Sequence, residues 1–146
     1  MKRLTFLKSL AALAVATPLL AASAPAVAAD RIVVIVGHAT VRKLDMATVR
    51  RIYTGKTVEL DGLRVVPVNA APGSALRQRF LAEYLDTSED DYLAYWTVRR
   101  YVGKGTPPTE LRQPADIIDF VNRTPGAIGY VDEADVPRGM NVVLRP

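Results

Sequence analysis

Five consecutive β-branched residues, Ile32-Val33-Val34-Ile35-Val36, place the strongest constraint on what this chain can fold into. A strand with one wet face alternates apolar and polar residues, whereas a strand with no polar position is covered on both faces. Such a segment belongs inside a layered domain with helices packed on either side of a sheet. The expected fold class is therefore α/β, a layered sheet with helices on both faces.

The segment ahead of that strand is of a different kind. Met1-Lys2-Arg3 and Lys8 are cationic, Ser9 to Leu20 is an apolar run, and Ala21 to Ala29 is a stretch rich in small residues. This order is that of a secretory signal peptide. The apolar run falls short of the roughly 20 residues needed to cross a bilayer and is interrupted by Pro18. A retained membrane anchor is the poorer reading. Cleavage is expected after Ala28 or Ala29, so residues 1–29 read as leader and residues 30–146 as one domain of 117 residues, an ordinary size for a single core. The chain has no cysteine, so neither a disulfide framework nor a lipid-modified cysteine at the cut is available. Export as a soluble protein into a bacterial periplasm is the expectation, with no membrane insertion once the leader is gone.

The net charge of +4 is misleading. Three of the 19 basic residues lie in the leader and none of the 15 acidic ones do, so 16 cations face 15 anions in the remaining chain. A nucleic-acid partner requires a basic stripe to neutralise phosphates, and this near-neutral domain has none.

Beyond Val36 the hydrophobic period changes several times. Asp45 can cap a short helix with apolar positions at Met46, Val49, Ile52 and Tyr53, stopped by Gly55. Asp61-Gly62 reads as a turn before a strand over Arg64 to Asn69. From Ser74 to Leu85 a second helix is written in Leu76, Phe80, Leu81, Tyr84 and Leu85, with Arg77, Gln78 and Glu83 marking its wet side. Ser88 and Asp91 form a shortened capping box before a helix carrying Tyr92, Tyr95, Trp96 and Arg99. The stretch Gly103-Lys104-Gly105-Thr106-Pro107-Pro108 must be a loop. A further helix over Pro114 to Arg123, a buried strand over Ala127 to Val131 and a last edge strand over Val142 to Leu144 complete the pattern.

One internal echo stands out. Arg50-Arg51-Ile52-Tyr53-Thr54-Gly55-Lys56 and Arg99-Arg100-Tyr101-Val102-Gly103-Lys104 share two arginines, an aromatic residue and a Gly-Lys stop. Two helix C-termini built alike account for both, with glycine for the left-handed residue and cations against the negative dipole end. The alternative is a pair of basic corners converging on an anion.

Several of these pieces, taken in order, carry a resemblance. Leu44 to Lys56, Val66 to Phe80 with Pro72-Gly73-Ser74 opening a helix, Tyr95-Trp96, the Gly103 to Pro108 loop and Pro125-Gly126-Ala127-Ile128-Gly129-Tyr130-Val131 together resemble the small exported phosphate-binding-protein-like family. Its members are single-domain relatives of the periplasmic solute-binding proteins of phosphate ABC transporters. The resemblance implies a type 2 periplasmic-binding-protein fold, about one lobe of it. In the full-length phosphate binders the corresponding turn reads Arg, two residues, then Gly-Ser-Gly-Thr, and the arginine and both hydroxyls contact phosphate. Here Gly73-Ser74 are kept, Ala70 stands at the arginine's place, and Ala75 and Leu76 replace the second glycine and the threonine.

The start of the second helix is also the site that the residues themselves argue for. A strand ending near Asn69, followed by Gly73-Ser74-Ala75-Leu76, delivers free backbone N–H groups and the positive dipole end to one place. A small oxyanion such as phosphate is the natural guest, with Asn69, Gly73, Ser74, Ala75 and Leu76 as its candidate contacts. The bland reading of Ser74 is a plain helix cap. One lobe cannot close over a ligand, so binding by a single copy is expected to be weak.

Other chemistry finds little support. His38 is the sole histidine and has no cysteine beside it, so neither a zinc site nor a serine triad has enough to build on. Asp86, Glu89, Asp90 and Asp91 read as first-turn dipole partners rather than a calcium site. No enzyme activity, cofactor or metal is expected. Two readings remain: a non-catalytic solute-binding module that takes a small anion, alone or paired with a second copy, and a periplasmic interaction or accessory module that keeps the fold and touches an envelope protein. An exposed apolar patch would favour the second.

The leader reading predicts a mature N-terminus at Ala29 or Asp30. Intact mass spectrometry of periplasmic material checks it, and retention of Met1 to Ala28 or recovery only with membranes would contradict it.

Overall fold

The computed structural model describes residues 31–37 and 41–146; the leader segment and His38 lie outside the described residues. In chain order the elements are β1 (Ile32–Val36), α1 (Met46–Tyr53), β2 (Glu59–Leu60), β3 (Leu63–Arg64), β4 (Val66–Ala70), α2 (Ala75–Phe80), α3 (Glu89–Tyr101), β5 (Thr109–Leu111), α4 (Pro114–Arg123), β6 (Ala127–Asp132) and β7 (Asn141–Leu144). Five strands form one sheet in the order β5-β4-β6-β1-β7, and β2 and β3 make a separate hairpin turned at Asp61 and Gly62. Strand β4 runs parallel to β5 and β6, while β1 runs antiparallel to β6 and β7. The apolar run of β1 lies inside the sheet with all five residues buried, and β7 is the edge strand beside it.

Helices cover both faces, as that run requires. Gly129 and Tyr130 are consecutive in β6 and so point to opposite sides. A Cβ at Gly129 would come within 2.7 Å of Ile117 Cγ2 and 3.1 Å of Val121 Cγ2, so α4 rests directly on that face and only glycine fits. On the other face the Tyr130 ring stacks on Phe80 with centroids 3.7 Å apart, and Tyr53 meets Phe80 edge-on at 4.8 Å. Helices α1 and α2 occupy that side.

Buried tyrosine hydroxyls need partners, and here backbone groups supply most of them. Tyr53 donates to Val68 O at 2.9 Å and Ile128 O at 3.3 Å, Tyr84 to Ile32 O at 2.5 Å, and Tyr92 to Tyr53 O at 2.8 Å. Strands β4 and β6 pair only from Val66–Ala127 to Pro67–Ile128. Beyond that point Tyr53 and Tyr130 span the gap: Tyr130 Oη accepts the Ala70 N–H at 3.0 Å and donates to Asn69 Oδ1. Burial raises the pKa of Tyr53, Tyr84 and Tyr130 above the ordinary value and that of Tyr92 to about 12. All four remain donors at neutral pH.

Capping follows the sequence closely. Asp45 accepts the Thr48 N–H at 2.7 Å. Ser88 accepts the Asp91 N–H at 3.1 Å and donates to Asp91 Oδ2 at 2.8 Å, a capping box closed by the shorter acid. The echoed corners are both helix C-termini, with left-handed Gly55 and Gly103 and with Lys56 N–H on Arg51 O and Lys104 N–H on Arg99 O, each at 2.8 Å. They also meet in space. Arg99 donates to Gly55 O at 3.2 Å and to Lys104 O at 3.0 Å, so one cation joins two carbonyl-rich ends.

Three features depart from the sequence reading. The hairpin strand β2 and the three-residue β5 carry too few apolar residues to show a period, and the expected strand over Arg64 to Asn69 is displaced to Val66–Ala70. The second helix reaches Leu85 but widens into a π turn over Leu81–Leu85, which Asp86 ends in the left-handed region. Arg77, expected on the wet side, is 1% exposed.

Trp96, Ile128 and Tyr130 are buried, as their helix face and glycine-flanked strand predict. Ile128→Ala should lower stability by about 2 to 4 kcal/mol, measured by denaturant melts; a change of a few tenths would contradict the packing described.

Candidate functional site

Strand β4 delivers its last residues, Asn69 and Ala70, to the end of the sheet at which α2 begins. Gly73 has φ +77°, and Ser74 is the N-cap. Ser74 Oγ accepts the Arg77 N–H at 3.2 Å, Ser74 N–H donates to Ala71 O at 3.1 Å, and Ser74 O accepts the Gln78 N–H at 3.0 Å. As the first helical residues, Ala75 and Leu76 have N–H groups with no acceptor inside the helix. Gly73 and Ala75 are exposed, Ser74 is half-buried and Leu76 is buried.

Gly73, Ser74, Ala75 and Leu76 thus share one turn. Asn69 lies five residues back, 1% exposed, with its side-chain oxygen held by Tyr130. Only its amide N–H₂ is left to face a guest.

The residue that the sequence reading missed is Arg77. It lies on the inward stripe with Phe80, Leu81 and Tyr84, at helical spacing, and its charge alone argued for solvent. Its guanidinium donates to Ala70 O at 3.1 Å, to Glu110 Oε1 at 2.8 Å and to Glu89 Oε2 at 2.9 Å, and lies 5.6 Å from the centroid of the Tyr92 ring. Burial by itself would lower its pKa, but the hydrogen bonds to Glu110 and Glu89 outweigh that and raise it. No local spacing links residues 77, 89 and 110, so only the folded chain shows the cluster.

The electrostatics of the turn follow. The Arg77 guanidinium is buried against Ala70 O, and two carboxylates share its charge. Arg79, on the same helix, pairs with Asp132 at 2.8 Å. An oxyanion at the turn would meet a hydroxyl, two amides and the helix dipole, with these two cations already engaged. Among the described residues no group of three His, Cys, Asp or Glu side chains could hold a metal ion, and no helix is long and apolar enough to cross a membrane.

The fold is that of one lobe of the phosphate-binding periplasmic proteins. Among the solved structures that it resembles, three are each aligned over 78% of this chain: an ABC-type phosphate transport receptor from Vibrio cholerae (TM-score 0.62, 15% identity), a phosphate ABC transporter substrate-binding protein with bound phosphate from Clostridium perfringens (0.63, 21%), and PstS from Borrelia burgdorferi (0.59, 12%). The alignments cover 45%, 44% and 46% of those chains, so this chain spans less than half their length. No protein-family model matches the chain, and no curated protein does.

Removing the buried cation should be costly. Arg77→Ala strands Glu89 and Glu110 and is expected to lose about 3 kcal/mol of stability. Arg77→Lys should recover only part of it, because one ammonium cannot reach three acceptors and a ring in the same geometry. Urea melts of the three proteins decide this; equal stability would show that the cluster does not contribute.

Proposed function

We propose that this protein is an exported, non-catalytic binding module that takes a small oxyanion of the phosphate class at the start of α2, within a single domain spanning residues 30–146. The observation that carries the reading is the Ser74 turn, where a hydroxyl and the first amides of a helix lie at the end of a strand in a fold whose solved neighbours include a protein with phosphate bound. The leader-like first 29 residues support a periplasmic location. The solved neighbours are transport receptors and substrate-binding proteins, and no catalytic constellation argues for an enzyme.

Affinity is expected to be low. The turn lacks the arginine and threonine of the full-length binders, and its open surface leaves every contact half in water. A few charge-assisted bonds of that kind give roughly 4 to 5 kcal/mol, a Kd on the order of 0.1 to 1 mM.

Ser74→Asp puts a fixed carboxylate where the anion would sit and keeps the helix capped. Phosphate-dependent amide shifts at Ser74, Ala75 and Leu76 should appear in the wild type and vanish in the variant, with thermal melts unchanged. Equal shifts in both proteins, or none in the wild type, would overturn the proposal.

A further inference from the structure

A cavity of about 320 Å³ lies at the end of the sheet opposite the Ser74 turn. Strands β4 and β5 run parallel, and the residues at which they begin, Val66 and Thr109, both line it. The Ser74 turn follows the other end of β4, so about 13 Å of strand separates the two places. Three further pieces make the walls: the Gly55 end of α1, the hairpin of β2 and β3, and the loop over residues 104–109. Each is held in place. Val65 N–H donates to Val58 O at 2.9 Å and Lys104 N–H to Arg99 O at 2.8 Å, while Pro107-Pro108 stiffens the loop. The six-membered ring of Trp96 lies against Gly55, where a Cβ would come within 2.8 Å of Cη2.

The lining divides by depth. Ile52, Trp96 and Pro108 are buried and form an apolar floor, whereas Val58, Arg64 and Lys104 are exposed and stand at the mouth. Among the described residues the charged walls are Arg64 and Lys104, with no carboxylate between them. Neither cation forms an ion pair among the described residues, although Glu59 stands opposite Arg64 in the hairpin. Charge and floor together select the occupant. A cation would be repelled, a neutral apolar molecule would leave both charges unused, and an inorganic oxyanion would leave the floor uncovered. We propose that this cavity binds a small organic carboxylate with an apolar body of about one ring. The body rests on Ile52, Trp96 and Pro108, and the carboxylate stays at the mouth with Arg64 and Lys104. The volume agrees, since ligand pockets begin at roughly 300 Å³. The mouth is open to water, so a Kd on the order of 0.1 to 1 mM is expected. This inference does not rest on the anion reading, because the two sites share no residue.

Trp96 is the chain's only tryptophan and part of the floor, so its emission reports occupancy. The probe is cyclohexanecarboxylate, which does not absorb the exciting light. Titrated into the purified protein, it should change that emission saturably and shift the amides of Val58, Val65, Lys104 and Thr109. Cyclohexanecarboxamide, the neutral isostere, and inorganic phosphate should each be at least tenfold weaker at these positions. Arg64→Glu and Lys104→Glu, both at exposed positions, should each weaken carboxylate binding about fivefold with unchanged thermal melts. Lys104→Arg should retain it. A wild type without a saturable response, an amide that binds as well as the carboxylate, or charge-reversed variants that bind like the wild type would overturn the proposal. So would carboxylate-induced shifts confined to Ser74, Ala75 and Leu76, an outcome that leaves the anion reading standing. Absence of phosphate-induced shifts at that turn, with carboxylate binding intact, would count against the anion reading alone.

Discussion

A single buried guanidinium joins the parts of this domain that the sheet alone does not. Arg77 reaches from α2 to a carbonyl of β4, a carboxylate on β5, a carboxylate in the first turn of α3 and a ring on the same helix. An unpaired charge at that depth would be prohibitive, so the cation is tolerable only because all of these acceptors converge. Its planar fork can address several directions without losing more freedom, which an ammonium cannot do. The same residue also touches the Ser74 turn through its backbone, because Ser74 Oγ accepts the Arg77 main-chain N–H.

Tyrosine hydroxyls play the complementary role within the sheet. Where β4 and β6 cease to pair after Pro67 and Ile128, phenols of Tyr53 and Tyr130 take up the backbone groups left over. The strands can then diverge toward the end where the candidate site lies without leaving those polar atoms unmet in the interior. Helix α2 starts at that same end, so the Ser74 turn follows directly on the diverging end of β4.

What could be read from the sequence was whatever is local. The β-branched run, the Asp45 and Ser88 caps, the two Gly-Lys stops and the helix start at Ser74 each declare themselves within a few residues, and the structure has each in its expected place. What escaped was set by distance along the chain. Glu89 and Glu110 lie 12 and 33 residues from Arg77, so a charged side chain on an apolar stripe had no visible reason to turn inward. Strand β5 failed for a related reason: Thr109-Glu110-Leu111 has no apolar pattern, and it is a strand because it runs beside β4. The candidate turn was legible as a helix cap, but the engagement of its neighbouring cations was not.

The aromatic residues fall into two separate bodies. Tyr53, Phe80, Tyr84 and Tyr130 belong to the main core, whereas Trp96 packs with Leu81 and Tyr92 in a smaller cluster, with Tyr95 edge-on at 5.6 Å and Arg99 at 5.6 Å from its ring centroid. Trp96 is the chain's only tryptophan. Its fluorescence therefore reports the seating of α3 and not the integrity of the sheet. If that helix lifts from the domain before the sheet opens, emission and far-ultraviolet dichroism will follow different curves, and the gap between them will measure how independently the satellite unfolds.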